Sequence, residues 1–287
     1  MSAQKERLYK DVAFLTTLRP YRNYKNLDSL QKVSNYIETE FSTIGLPVEI
    51  QKWKVGEQEY SNIIASYNVN KSKRLIIGAH YDVCGDQEGA DDNASAIAGL
   101  LETSRLLAEN MPELDYRIDL VAYCLEEPPF FGTAEMGSYV HAKSLHATNT
   151  DVIGMICYEM IGYFSDEPYS QPFPSDELAK LYPNTANFII VVGISEYEAF
   201  NNRVYQLMKQ NSAIDVQIIN FAEKNTLASL SDQRNYWLFG YPALMINDTS
   251  FIRNKNYHQM TDTIDTLNFE KMRDVVNAAY KAVVGIV

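Results

Sequence analysis

Two pairs of adjacent acidic residues are the first feature of this sequence that points to chemistry. Asp91 and Asp92 lie in GADDNASAIAGLLE, directly before a stretch with helical periodicity, and Glu126 and Glu127 end an apolar run. Neighbouring carboxylates repel each other, so a buried pair must share a proton or hold a cation. Adjacent side chains at a strand end point in different directions, so one glutamate can bind a metal while the other faces a substrate. Exposed loop acids are the alternative explanation for the glutamate pair.

Two histidines also lie where a metal ligand would be useful. His80 ends the apolar part of RLIIGAHYDV and is followed two residues later by Asp82, and His258 lies in NYHQMTDTIDTLNF. A metal-bound imidazole usually donates its second N–H group to a carboxylate or carbonyl, and the His-x-Asp spacing offers such a partner. A core histidine with a polar neighbour is the alternative. We interpret the other two histidines, His141 and His146, as ordinary residues near the surface of a predicted helix.

A single carboxylate interrupts the apolar run MICYEMIGYF at Glu159. Burying a carboxylate is costly unless it is paired or coordinated, and no basic residue lies nearby in the sequence. This favours a cation, with a distant arginine as the alternative. Two histidines and several carboxylates, without a thiolate, suit zinc, manganese or cobalt better than copper or an iron–sulfur cluster. A carboxylate that bridges two ions would also resolve the repulsion between Asp91 and Asp92.

Predicted strands and helices alternate along the chain and explain how these residues meet. Apolar or alternating runs predict strands at residues 48–55, 60–67, 74–83, 117–127, 152–162, 187–193, 216–221 and 242–248; helical periodicity predicts helices at about 8–18, 30–41, 93–109, 196–210 and 269–284. This alternation implies a mostly parallel sheet that is covered on both faces. We therefore predict an α/β fold, a single three-layer α/β/α domain over residues 1–287 with a mixed, mainly parallel central sheet.

The candidate residues follow the ends of these predicted strands. Sites in open α/β sheets gather beyond the carboxyl ends of the strands, so acids and histidines that emerge there repeatedly indicate one shared site. Residues 165–185, which contain four of the ten prolines, are predicted to form a long surface excursion rather than a linker.

The composition excludes several classes of protein. The net charge is −12, with 37 acidic against 25 basic residues, which argues against nucleic acid as a partner. Three cysteines do not form a disulfide or zinc-finger framework, and Cys124 and Cys157 are expected in the core. No apolar run approaches the ~20 residues of a membrane span. We expect a soluble protein that is cytoplasmic, since no signal peptide is seen, although an exported protein without its leader would look the same. No oligomeric state is indicated.

Taken in order, five segments resemble the zinc aminopeptidases related to bacterial leucyl aminopeptidase. The segments are HYDV, GADDNASA, EE, a carboxylate before MIGY, and YHQMTDTIDTL, and they span Leu75 to Leu267. The resemblance implies hydrolysis of peptides at a free N-terminus by two zinc ions and a general base. It also implies the roles that follow: Asp91 as the carboxylate that bridges both ions, His80 and Glu159 as ligands of one ion, Glu127 and His258 as ligands of the other, Glu126 as the general base, Asp82 as the acid that orients His80, and a cis peptide bond between Asp91 and Asp92.

The sequence departs from that family pattern at three positions and leaves two alternatives. Glu159 stands where aspartate is common, Ala96 where glycine is common, and Gln233 where many relatives have histidine. Relatives with this fold include glutaminyl cyclases, which transfer an acyl group within N-terminal glutamine and use a single zinc, and binding scaffolds without catalysis. The full set of five expected ligands favours the two-metal hydrolase.

Overall fold

The computed structural model describes residues 1–287 and contains one eight-stranded sheet. The strands are β1 (Val48–Val55), β2 (Gln58–Tyr67), β3 (Arg74–His80), β4 (Arg117–Tyr123), β5 (Val152–Glu159), β6 (Phe188–Ile194), β7 (Asp215–Phe221) and β8 (Ala243–Asn247). The helices are α1 (Lys5–Thr17), α2 (Leu27–Thr43), α3 (Ala96–Asn110), α4 (Gly137–Ala147), α5 (Asp176–Leu181), α6 (Glu198–Asn211), α7 (Gln233–Leu238) and α8 (Phe269–Val284).

The strand order places four parallel strands side by side in the middle of the sheet. The order is β1-β2-β4-β3-β5-β8-β6-β7. Strand β3 pairs in parallel with β4 and β5, and β5 pairs in parallel with β8. Strands β1 and β2 extend the sheet as an antiparallel hairpin on one side, while β6 runs antiparallel to β8 on the other. The predicted fold class, a mixed and mainly parallel sheet between layers of helices, is confirmed.

Alternating side chains divide the core between the two faces of the sheet. In β3, Leu75 and Ile77 point into a cluster of 52 buried residues, while Ile76 points into a cluster of 17 on the opposite face. The larger cluster lies under α1, α2, α3, α6 and α8, and the smaller one under α4 and α7. This period of two is what a strand buried on both faces requires.

Amphipathic sequence explains why the closing helix forms where it does. In α8, the buried residues Met272, Val275, Val276, Ala279 and Val283 repeat at helical spacing and belong to the larger cluster, where α8 packs against α1, α3 and α6. Its first turn is capped by the side chain of the preceding asparagine, which accepts a hydrogen bond of 3.1 Å from a backbone N–H of that turn.

Four local features differ from what the sequence predicts. The excursion at residues 165–185 contains the short helix α5, and residues 233–238 form α7, which the sequence did not predict. The helix expected from about residue 93 begins at Ala96, because the backbone of Asp92 and Asn93 is not helical. His141 is buried rather than near the surface, with Nδ1 2.6 Å from the hydroxyl oxygen of Tyr236. None of the helices combines the length and the apolar character that spanning a membrane would need.

Candidate metal centre

The carboxyl ends of the four central strands meet at one edge of the sheet. His80 is the last residue of β3 and lies opposite Tyr123 of β4, so the chain after β4 delivers Glu126 and Glu127 to the same place. Glu159 is the last residue of β5. The expected convergence of these residues therefore follows directly from parallel pairing.

A first group of donors surrounds Nε2 of His80. This atom lies 3.3 Å from Oε2 of Glu159, 3.5 Å from Oδ1 of Asp92 and 3.8 Å from Oε2 of Glu126. All four side chains are buried. The other ring nitrogen, Nδ1, faces Asp82 with its nearest oxygen at 3.6 Å. The imidazole therefore presents Nε2 to the cluster and Nδ1 to Asp82. Metal-binding histidines are commonly oriented in this way, by a carboxylate next to the nitrogen that does not bind the metal.

A second group of donors surrounds Nε2 of His258. This atom lies 3.1 Å from Oδ2 of Asp92 and 3.3 Å from Oε2 of Glu127. The ring of His258 stacks on that of Tyr257, with centroids 3.8 Å apart. The two oxygens of Asp92 thus face different histidines, and its carboxylate lies between the two groups.

This geometry corrects the sequence assignment of Asp91. The Oδ1 atom of Asp91 accepts the backbone N–H of Gly162 at 3.0 Å, and Oδ2 accepts the side-chain amide of Asn254 at 2.7 Å. Both oxygens are therefore held by protein donors beside the cluster, and Asp92 occupies the position between the histidines. The expected cis peptide bond also lies one residue further along, between Asp92 and Asn93. Because the two aspartates are adjacent, the sequence alone does not show which of them faces the site.

Two buried carboxylates brace the backbone that carries the acidic pairs. The oxygens of Asp82 accept the backbone N–H groups of Glu126 and Glu127 at 3.2 and 3.1 Å. In the same way, the oxygens of Asp262 accept the N–H groups of Asp91 and Asp92 at 2.9 and 3.0 Å. Each carboxylate orients a pair of acids by holding its backbone. Asp262 was not singled out from the sequence, although it lies in the quoted segment YHQMTDTIDTL.

Glu159 reaches the cluster despite its additional methylene group. Its Oε2 accepts the hydroxyl of Ser231 at 2.7 Å and the amide of Asn93 at 3.1 Å. The side-chain amide of Gln233 donates to the carbonyl of Ala228 at 2.5 Å. The glutamate at this position therefore keeps its expected place, and the glutamine serves the local turn.

The guanidinium group of Arg22 joins the segment that carries His80 to the segment that carries Asp91 and Asp92. It is buried and donates to the carbonyl oxygens of Tyr81 at 2.9 Å and Gly89 at 2.7 Å, and also to those of Leu15 and Glu88. Tyr81 lies between His80 and Asp82, and Gly89 precedes the aspartate pair. No sequence pattern identifies this residue, because its partners are all backbone carbonyls.

The backbone conformation next to the Arg22 contacts requires glycine at position 89. Gly89 has a φ of +59°, and a Cβ atom there would lie 2.2 Å from the carbonyl oxygen of Asp92. Three residues without that freedom adopt positive φ beside the candidate ligands: Leu125 at +63°, Met160 at +47° and His258 at +57°. Such backbone conformations persist where the surrounding structure enforces them, and they gather at functional sites.

The cluster holds more buried negative charge than the protein neutralises. Burial, together with repulsion from Asp92, raises the pKa of Glu127 to about 7. Burial also raises the pKa of Glu126 well above its usual range, and the charges of Glu127 and Glu159 act in the same direction. Burial lowers the pKa of Arg22 to about 10, which leaves it protonated at neutral pH. A divalent cation would favour the ionised carboxylates and so remove this electrostatic cost.

Unpartnered ligand atoms show that the residues fit a metal. The Oδ2 of Asp92, Oε1 of Glu127 and Nε2 of His258 are buried without a hydrogen bond of correct geometry. Donor atoms of His80, Asp92 and Glu127 lie within 4.8 Å of one another. Buried polar atoms are almost always satisfied, and imidazole with carboxylate is a donor set that zinc accepts. The cluster therefore fits one or two divalent ions.

A narrow cleft leads from the cluster to an apolar cavity. The cleft contains about 440 Å³ of empty space, part of it open to solvent, and is lined by Asp92, Glu126, Glu127, Pro128, Phe131, Glu159, Leu230, Tyr257 and His258. The adjoining cavity contains about 770 Å³, also partly open to solvent, and shares Glu159, Leu230 and Tyr257 with the cleft. Its walls are mainly apolar and include Ile190, Val192 and Met245. A molecule bound at the cluster can therefore extend an apolar group into the cavity.

Comparison with known proteins identifies the family. The profile of Peptidase family M28 matches residues 62–283. The chain belongs to this family. It is 41% identical over 284 residues to the uncharacterized protein YfbL of Escherichia coli, covering 96% of this chain and 86% of that protein. It is also 23% identical over 279 residues to a probable zinc metalloprotease of Pyrenophora tritici-repentis, covering 90% of this chain but only 53% of that longer protein.

Solved structures of an aminopeptidase and of a glutaminyl cyclase share the fold. The LapA aminopeptidase of Legionella pneumophila superposes with a TM-score of 0.77 at 19% identity, covering 98% of this chain and 72% of LapA. The glutaminyl cyclase of Fimbriiglobus ruber superposes with a TM-score of 0.73 at 17% identity, covering 99% of this chain and 96% of that enzyme. The expected family is thus confirmed, and these structural likenesses concern the fold alone.

Proposed function

We propose that this M28 peptidase is an aminopeptidase that uses two zinc ions to remove large apolar residues from the N-terminus of peptides. The observation that carries the proposal is the position of Asp92 between two groups of donors, at the head of a cleft that opens into an apolar cavity. One ion would be held by His80, Asp92 and Glu159, and the other by Asp92, Glu127 and His258. Zinc in such a site polarises a carbonyl group and makes water more acidic.

Glu126 is the residue proposed to move the proton. It lines the cleft and is buried, and its Oε2 is 0.5 Å further from Nε2 of His80 than that of Glu159, at 3.8 against 3.3 Å. Its backbone N–H is fixed by Asp82. A carboxylate held beside the ligands, without being needed as one, can accept a proton from attacking water and return it to the leaving amine.

The free amine and the first side chain would be recognised by different surfaces. Four carboxylates line the cleft, at Asp92, Glu126, Glu127 and Glu159, and carboxylate oxygens can accept hydrogen bonds from a free α-amine. The apolar cavity beside Glu159 has room for a side chain of the size of leucine, methionine or phenylalanine. Burying such a side chain contributes about 1.5–3 kcal/mol, which makes it a principal source of selectivity.

Hydrolysis of aminoacyl anilides by the zinc-reconstituted protein tests this proposal. We expect release of the anilide from leucine, methionine and phenylalanine derivatives, weaker activity on alanine, and none on the N-acetyl forms of the same compounds. Equal hydrolysis of free and N-acetylated substrates would exclude an aminopeptidase and would indicate an endopeptidase or amidase.

A glutaminyl cyclase is the second candidate, because an enzyme of that activity shares the fold over almost the whole chain. It would release ammonia from peptides with N-terminal glutamine and leave the peptide bond intact. Ammonia release without anilide hydrolysis, by protein that contains one zinc ion, would replace the aminopeptidase assignment with this one.

A further inference from the structure

A thiol stands beside the second group of donors. Cys84 lies four residues after His80, and its Sγ is within 4.8 Å of the donor atoms of Glu127 and His258. The residue is half-buried, whereas Cys124 and Cys157 are fully buried in the core. Cys84 therefore differs from the other cysteines in both exposure and surroundings, and it was not recognised from the sequence as part of the site.

Both residues next to Cys84 have a donor atom without a hydrogen-bond partner. The Oε1 atom of Glu127, a residue only 4% exposed, makes no hydrogen bond, and neither does Nε2 of His258. Donor atoms around tetrahedral zinc lie about 3.5 Å apart, as expected for zinc–ligand bonds of about 2.0–2.3 Å. The separation of 3.3 Å between His258 and Glu127 already matches this value. Because its Sγ lies within 4.8 Å of both donors, Cys84 can supply the third protein ligand of this group.

The backbone on both sides of Cys84 is held in place. The N–H of Val83 donates to the carbonyl of Arg22 at 3.3 Å. The side chain of Asn23 donates to the carbonyl of Gly85 at 2.7 Å and to the carboxylate of Asp86 at 3.0 Å. The segment that carries the thiol is thus anchored to the residues that lead into α2. Anchoring reduces the entropy that a flexible loop would lose on binding a cation.

We propose that Cys84 is a ligand of the metal ion bound by Glu127 and His258, which gives this site a thiolate in addition to carboxylate and imidazole. The inference rests on the proposed function only in requiring that an ion occupies this position. When the ion binds, the thiol loses its proton to solvent and the sulfur donates an electron pair to the metal. No oxidant or other reactant is needed.

A thiolate changes which ions the site prefers. Thiolate favours zinc, cadmium and cobalt over manganese and magnesium, whose preferred ligands are oxygens. The position formed by Glu127, His258 and Cys84 should therefore discriminate against manganese. The position formed by His80 and Glu159, which has no cysteine among its candidate donors, should accept manganese more readily. The two ions would then differ in identity or in rate of exchange.

Reconstitution with cobalt(II) tests the inference, because a thiolate bound to cobalt produces a charge-transfer band in the near ultraviolet. We expect two cobalt ions per chain and this band in the unaltered protein. The Cys84→Ser variant should lose the band and bind one of its two ions more weakly by about tenfold or more, since even groups that only orient a ligand contribute about 10–100-fold. The matched controls are Cys124→Ala and Cys157→Ala, which should retain the band.

The possible results separate this inference from the proposed function. Two cobalt ions without a charge-transfer band would overturn the role of Cys84 and leave the two-metal site intact. A band that persists in Cys84→Ser would also overturn it. Failure to bind cobalt at all would remove both the inference and the two-metal peptidase on which it depends.

Discussion

The Oδ2 atom of Asp92 lies 3.1 Å from Nε2 of His258, although the two residues are far apart in the chain. The other oxygen of the same carboxylate lies 3.5 Å from His80. One side chain therefore connects the end of β3 with the segment before α8. This arrangement makes Asp92 the residue on which both proposed ions depend, and it distinguishes the two adjacent aspartates experimentally.

Replacing Asp92 by asparagine should reduce metal binding, whereas replacing Asp91 should reduce stability. Asp92→Asn removes the charge shared by both donor groups, so metal content should fall for both ions. Asp91→Asn should retain the metals but lose stability, because an amide has one acceptor oxygen where Asp91 now satisfies Gly162 and Asn254. Leaving one buried partner unsatisfied costs about 1–3 kcal/mol of unfolding free energy. Elemental analysis and chemical denaturation of both variants provide the measurement. Retention of both metals by Asp92→Asn, with loss in Asp91→Asn, would restore the original assignment.

Substitutions of the two adjacent glutamates, Glu126 and Glu127, should also have different effects. Glu126→Gln preserves the shape of the side chain but cannot accept a proton, so kcat should fall by about 10²–10⁴-fold while both metals remain. Glu127→Gln should instead weaken one ion, and excess zinc should restore part of the activity. Metal content and kcat are measured on both variants side by side. If Glu126→Gln loses a metal and Glu127→Gln keeps two, the roles are reversed.

The sequence was sufficient for the fold and for most members of the cluster, for physical reasons. Buried parallel strands are long apolar runs, and acids or histidines at their ends stand out, as His80 and Glu159 do. The choice between Asp91 and Asp92 depends on a turn whose path is set by Asp262 and Arg22, both distant in sequence. Contacts through backbone carbonyls and the approach of Cys84 leave no periodic pattern, so only the structure reveals them.

Filling the apolar cavity should change substrate preference rather than chemistry. Val192 lies on β6 in the wall of the cavity, and phenylalanine at this position would occupy space meant for the substrate side chain. The Val192→Phe variant should lose kcat/KM for leucine and phenylalanine anilides by about 10–200-fold, the range over which apolar pockets discriminate. The alanine anilide serves as the internal control and should be affected much less. Equal losses for all substrates would mean that the cavity does not receive the first side chain.

Buried His141 should make the protein less stable in acid. Burial lowers the pKa of His141 to about 4 from an ordinary value of 6.5. Between these values the unfolded chain binds a proton that the folded protein does not, so the free energy of unfolding falls as the pH drops through this window. The full effect is about 3 kcal/mol, at 1.36 kcal/mol per pKa unit.

Urea denaturation in the presence of a chelator, from pH 7.5 down to 4, measures this effect. The stability of the unaltered protein should fall relative to that of His141→Gln as the pH decreases. The control is His146→Gln, a substitution at an exposed position of the same helix, and it should follow the unaltered protein. A difference between the unaltered protein and His141→Gln that stays constant with pH would rule out this explanation.

Arg22 should couple the N-terminal segment to the metal centre. Its guanidinium donates to four backbone carbonyls, and those of Tyr81 and Gly89 belong to the segments that carry His80 and the aspartate pair. The ammonium group of lysine has three donors and cannot bind four separate acceptors, so Arg22→Lys leaves buried carbonyls unsatisfied. Both the melting temperature without metal and the affinity for zinc, measured by competition with a chelator, should decrease. Arg19→Lys is the matched control, because Arg19 is exposed and forms a surface ion pair with Glu88, which contributes at most about 1 kcal/mol. An unchanged zinc affinity in Arg22→Lys, with only the melting temperature lowered, would show that the hydrogen bonds of Arg22 stabilise the fold without shaping the site.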